Sequence, residues 1–163
     1  MNEKKSFSLK EPAVFFLSFC GVGFSPKAPG TMGTLVIMPI LYALAQFNPP
    51  YILFIPFITL ATVFSCFLAH HVEQKYDLHD PQWIVIDEVI GMSVAWLFIK
   101  DSGLSHHLIL FVLFRFFDII KIWPANYFDK LKHGSGIIID DIVSGIYAGA
   151  IYATLFHFNI IPT

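Results

Sequence analysis

The chain opens on a polar stretch, MNEKKSFSLKEP, and then alternates long apolar runs with short breaks of proline, glycine and charge. The first apolar run, residues 13–24, is about 12 residues long and falls short of the roughly 30 Å of hydrocarbon a spanning helix must cross. It predicts a short interfacial or re-entrant segment. Five longer runs follow, at roughly 31–47, 51–72, 80–101, 104–123 and 140–160. Asn48-Pro49-Pro50 closes the first, Asp80-Pro81 has the N-cap-then-proline form of a helix start, and Pro124 stops the fourth. The β-branched stretches at 84–86 and 137–139 would suit strands in water. Inside a bilayer only helices and closed barrels satisfy the backbone, and five long runs do not make a barrel. The pattern predicts an all-α fold: a polytopic membrane helical bundle of about five long apolar helices with a short N-terminal segment. The breaks are too brief to be linkers, so residues 1–163 form one domain.

Composition points the same way. Hydrophobic residues make up 56% of the chain and charged residues 13%, against about 25% charged in soluble domains. A mean hydropathy of +0.67 fits lipid better than water as the surrounding solvent. The net charge of −2 leaves no basic footprint for phosphate neutralisation, which excludes nucleic acid as a partner. Cys20 and Cys66 both sit in apolar runs and read as small hydrophobes, with neither a disulfide framework nor zinc spacing.

Successive crossings reverse direction, so parity decides which polar groups share an end. One end collects Lys27, Lys75, Asp87, Glu88, Asp118, Lys121, Lys130, Lys132, Asp140 and Asp141, while the other holds a single lysine, Lys100. Basic residues beside short loops mark the cytoplasmic face, which places the acids there. Lys4, Lys5 and Lys10 join them if residues 13–24 do not cross.

Carboxylates within apolar helices cost about 2.5–3.5 kcal/mol each at mid-membrane and usually line a polar cavity. Asp87 and Glu88 interrupt WIVIDEVIGM, Asp118 interrupts LFRFFDIIKIWP, and Asp140 and Asp141 interrupt SGIIIDDIVSG. Converging acids repel unless a hard cation, magnesium being the usual oxygen-liganded choice, compensates them; the alternative is ion pairing with Arg115, Lys121 and Lys27. IVIDEVI at 84–90 and IIIDDIV at 137–143 share one pattern, suggesting that two helix starts present equivalent acidic pairs. Arg115, Asp118 and Lys121 recur every three residues, either a stripe able to serve metal and anion together or a membrane-interface stripe whose cations snorkel to headgroups beside Trp123 and Tyr127. GVGFSPKAPGTMGTL at 21–35 combines glycines with Lys27 before a helix, a form suited either to phosphate or to a plain tight turn. His133, in a second glycine-bearing loop, is a candidate proton donor to a leaving group. CX5R, PSGH and DxDxT patterns are absent from the sequence, which disfavours a covalent phosphoenzyme.

These blocks, from GVGFSPKAPGTMGTL through WIVIDEVIGM and FRFFDIIKIWPAN to HGSGIIIDDIVSGIYAGA, resemble the phosphatidylglycerophosphatase A family of bacterial membrane lipid phosphatases. Ile122 stands where the family usually has proline, and Ile138 where methionine is common. The resemblance implies magnesium-dependent hydrolysis of the phosphomonoester of phosphatidylglycerophosphate, a phospholipid substrate, at the cytoplasmic face of a bacterial inner membrane. It also implies that Asp87, Glu88, Asp118, Asp140 and Asp141 form the metal-binding and acid–base set, with Lys121 among the catalytic groups. Lys27, Gly30, Thr31, Gly33, Thr34, Arg115 and His133 are then the substrate-facing residues. The corresponding mechanism is attack by a metal-activated water, with Glu88 the candidate proton acceptor. An ion- or proton-coupled transporter is the rival reading of intramembrane acids; it calls for polar residues reaching both faces.

Overall fold

Proline opens three of the helices. In the computed structural model, which describes residues 8–78, 81–129 and 134–161, helix α1 (Pro12–Leu17) and helix α2 (Pro29–Ala45) each begin on a proline, and helix α3 (Ile55–Tyr76) has Pro56 as its second residue. A proline there forfeits only an N–H that lacks an intrahelical partner anyway. Helix α4 (Ile86–Trp96), helix α5 (Leu104–Ile120), the short helix α6 (Ala125–Asp129) and helix α7 (Gly134–His157) complete the order, and no strand occurs among the described residues. Left-handed residues end two of them: Asp77 (φ 53°) after α3 and Lys121 (φ 48°) after α5.

The helix expected from Asp80-Pro81 begins later, at Ile86; Asp80 itself lies outside the described residues. Pro81 to Val85 make a turn instead: Ile84 donates its N–H to the Pro81 carbonyl at 2.9 Å, and Val85 donates to the Leu17 carbonyl at the end of α1 at 3.0 Å. Val85 thus spends its N–H on the N-terminal segment, and Asp87 and Glu88 fall in the first turn of α4. After Trp96 the chain tightens through i→i−3 bonds at Leu97, Phe98 and Ile99. The last long helix starts at Gly134, ahead of the expected residue 140, so Asp140 and Asp141 lie in its second turn. The two acidic pairs therefore occupy non-equivalent positions, contrary to the symmetry their matching heptapeptides suggest.

Helix α4 is the centre of the molecule, with nine of its eleven residues buried, and Trp96, Met92, Phe114 and Tyr152 are fully enclosed around it. At 1.5 Å per residue it is about 16 Å long, half a bilayer core. Among the described residues two helical stretches, 51–76 and 136–157, are long and apolar enough to cross a membrane, and Pro29–Ala45 is a shorter apolar helix. The expected five full spans thus reduce to two by length: one run is a half-length core helix, and the remaining two yield helices of 17 residues each. The 13–24 run forms α1 and a 3-10 turn at Val22–Phe24, with Val14 and Leu17 buried, and Glu11 just ahead of it accepts a 2.6 Å ion pair from Lys75 of α3.

Two glycines bring α4 against α7. A methyl group on Gly145 would collide with the Gly91 carbonyl oxygen, and one on Gly91 would lie 2.6 Å from the Asp141 carbonyl oxygen. The nearest obstacle in each case is backbone, joined at Gly91 by the Phe114 ring at 2.7 Å, so the close approach sets the spacing between the acids of the two helices. Gly145→Ala is expected to cost about 1–3 kcal/mol, the scale of overpacking, read as a lowered midpoint of thermal unfolding in detergent.

Candidate active site

Four helices and the short α6 converge on one cavity of about 460 Å³. The first turn of α2 contributes Pro29, Gly30 and Thr31; the first turn of α4, Asp87 and Glu88; the end of α5, Arg115, Asp118 and Lys121; α6, Asp129; and α7, Asp140 and Asp141. The charged side chains reach the cavity from the end turns of these helices, with Lys121 at the C-cap of α5.

Asp87, Glu88 and Asp141 each offer a carboxylate oxygen, all within 4.8 Å of one another. Asp87 and Asp141 are buried, and Asp87 Oδ1 accepts the Glu88 backbone N–H at 3.0 Å. Three like charges so close repel in a medium of low dielectric constant. Nearby, Glu88 Oε2 and Asp140 Oδ1 are buried without a hydrogen-bond partner among the described residues. An all-oxygen donor set with orphaned carboxylate oxygens fits a hard divalent cation and does not suit a thiolate- or imidazole-seeking metal.

The other two acids are paired. Arg115 meets Asp118 Oδ2 at 2.5 Å, one turn along α5, and its Nη1 also reaches Thr34 Oγ1 at 3.5 Å. Lys121 bridges Asp140 at 2.6 Å and Asp129 at 2.5 Å. Burial alone would lower the Lys121 pKa, but the hydrogen bonds to Asp129 and Asp140 outweigh it and raise the pKa, so the ammonium stays charged. The segment just after Lys121 is anchored by Tyr147 of α7, whose hydroxyl donates to the Trp123 carbonyl at 2.9 Å. Both cations keep donating capacity: Arg115 Nε is buried without a partner, and Lys121 engages two carboxylates where an ammonium has three N–H groups.

Geometry divides the five acids: Asp87, Glu88 and Asp141 cluster, whereas Asp118 and Asp140 sit on Arg115 and Lys121, Asp118 also meeting Asp141. Gly30 and Thr31 line the cavity, but Gly33 packs against Val85, and Thr34 is buried with its hydroxyl donating to the Gly30 carbonyl at 3.0 Å. Lys27 is exposed and outside the cavity lining, in a turn where Ser25 Oγ donates to its carbonyl. His133 lies outside the described residues, as do Lys4, Lys5, His79, Lys130 and Lys132. Asp129 is a cavity residue that the sequence reading does not single out. Its signal was faint: an acid in a polar connection, eight residues beyond Lys121, with no apolar run to make it conspicuous.

The family profile of phosphatidylglycerophosphatase A matches residues 15–156. A phosphatidylglycerophosphatase A of Haemophilus influenzae is 36% identical over 151 residues, covering 90% of each chain, and one of Escherichia coli K12 is 35% identical over 138 residues, covering 84% of this chain and 79% of that one. A Bacteroides thetaiotaomicron protein whose name proposes a phosphatidylinositol-3-phosphatase is 32% identical over 133 residues, 78% of this chain and 83% of its own. No solved structure matches. Helices converging on an acidic, cation-flanked cavity, together with these relatives, define a lipid phosphatase. The chain belongs to the phosphatidylglycerophosphatase A family.

Proposed function

We propose that this chain hydrolyses the phosphomonoester of phosphatidylglycerophosphate, releasing phosphatidylglycerol and inorganic phosphate, with Mg²⁺ held by Asp87, Glu88 and Asp141. The observation that carries the reading is the trio of carboxylates within 4.8 Å, set beside two cations with donors to spare. When bound, the metal supplies Lewis-acid stabilisation of phosphate charge and a more acidic water. The protein's own groups do the rest. Arg115 Nε and the third Lys121 N–H receive phosphate oxygens, stabilising charge where it builds up. Asp118 and Asp140 hold those two cations in place. Glu88 Oε2, which lacks a partner, accepts the proton of the attacking water. The water oxygen bonds to phosphorus as the ester P–O bond breaks, and the departing oxygen takes up the proton that Glu88 accepted, relayed through the cavity or solvent, so the reaction balances without any further reactant.

The setting supports a lipid substrate. Only 11% of the apolar window of α3 is buried, and Phe57, Leu60 and Phe67 stand fully outward from it. We infer a multi-pass inner-membrane protein with the cavity at the cytoplasmic face: Lys10, Lys27, Lys75 and Lys121 share that end, and Lys100 is opposite. The headgroup enters the cavity while the tails stay in lipid.

The test is phosphate release by the full chain in detergent, offered phosphatidylglycerophosphate and phosphatidylinositol 3-phosphate in parallel. Release from the first, lost in EDTA and restored by Mg²⁺, is the expected result. Preference for the inositol lipid would reassign the headgroup, and undiminished release in EDTA would remove the metal from the reaction.

A further inference from the structure

The glycines of this chain differ in what a side chain in their place would strike: backbone at some, and only a neighbouring side chain at others, as with Phe98 at Gly149 and Glu88 at Gly30. At Gly23 the obstacle is the Trp83 carbonyl oxygen, at Gly91 that of Asp141, and at Gly145 that of Gly91. These are backbone contacts, and they keep elements close together. Gly30 differs. A methyl there would collide with Glu88 Oε1 and lie 2.7 Å from Glu88 Cδ and 3.4 Å from Cγ, touching the far end of a flexible side chain and no backbone.

The side chain struck at Gly30 is one of the cavity's acids, and this ties the contact to the site. Gly30 is the buried second residue of α2, and its carbonyl is already engaged by the Thr34 hydroxyl. An alanine there is compatible with helix and has better helical propensity than glycine. The fold can therefore absorb the methyl by turning the Glu88 carboxylate aside. Glu88 lies against α2 at Gly30, while Asp141 belongs to the α7 backbone that touches Gly91.

We propose that Gly30 is a positioning residue for Glu88: the missing side chain leaves the space in which this carboxylate lies and from which it completes the acidic trio with Asp87 and Asp141. The assignment rests on the reading of that trio as a cation site. It replaces the role the sequence suggests for Gly30, a backbone N–H turned to phosphate, with a steric one. Shortening the acid supplies the complementary change, since Glu88→Asp withdraws the carboxylate by one methylene from the place the methyl would fill.

The test is Mn²⁺ binding, by titration calorimetry on the detergent-solubilised full chain without lipid substrate, for the wild type, Gly30→Ala, Glu88→Asp and the double variant. Gly30→Ala is expected to weaken Mn²⁺ binding by about tenfold or more, the scale for disturbing the support of a metal ligand. In the Glu88→Asp background the same alanine is expected to cost less than about twofold, because double-mutant coupling reports direct contact. Equal losses in the two backgrounds, or unchanged affinity in Gly30→Ala, would overturn the assignment. So would a double variant that fails to fold, since the methyl would then be meeting something other than the longer side chain. A wild-type chain that binds no Mn²⁺ would instead fault the cation site itself, separating failure of that reading from failure of this one.

Discussion

Asp141→Asn is expected to lower phosphate release by about 10²–10³-fold, the scale on which a single electrostatic stabiliser acts, while raising the unfolding temperature of the metal-free protein. The two effects have one cause. Asp141 is buried in a trio of acids within 4.8 Å, and without a cation their mutual repulsion opposes folding. Asparagine keeps the shape and removes one charge. In a chain of this length each kcal/mol relieved raises the midpoint by about 2–4 °C. Thermal scans in EDTA, set beside phosphate-release assays in Mg²⁺, read both signs. Near-normal turnover would remove Asp141 from the site, and an unchanged or lower midpoint in EDTA would refute the repulsion.

Lys121→Met reverses that relationship, since it is expected to damage both properties. It leaves Asp140, which is almost fully buried, without its cation, and frees Asp129. Breaking a fully buried pair costs roughly 3–5 kcal/mol. Lys121 keeps 30% of its side-chain exposure, so about 2–3 kcal/mol is the better expectation once screening is counted. Turnover is expected to fall by about 10²-fold through the lost contact with phosphate. Adding Asp140→Asn separates the two: denaturant unfolding should regain most of the stability while phosphate release stays low. Recovery of both would make Lys121 purely structural.

The helical class and the five acids were legible in the sequence because charge inside apolar runs is costly and therefore conspicuous. The division of those acids was not. Nothing in the spacing of Asp140 and Asp141 says that one turns to Lys121 and the other to Asp87, since adjacent helical residues point about 100° apart and the partners come from other helices. The shortness of α4 was hidden for a related reason. Pro81 to Val85 are apolar enough to extend the run, yet Ile84 turns back to Pro81 and Val85 gives its N–H to Leu17 of α1. Gly30 was noticed for its company, a glycine-rich loop, yet the contact that gives it meaning lies 58 positions further along, at Glu88. Asp129 was missed because a charge in a polar connection breaks no pattern.

Since α3 presents most of its surface outward and keeps little of it for the rest of the molecule, its outer positions carry few obligations to their neighbours. On the membrane placement proposed above, relatives in thicker or thinner bilayers are expected to lengthen, trim or reshuffle the aliphatic residues along that flank without disturbing the acidic cavity. Adaptation to a new lipid environment and preservation of chemistry are thereby assigned to different helices, and sequence drift should concentrate on the former.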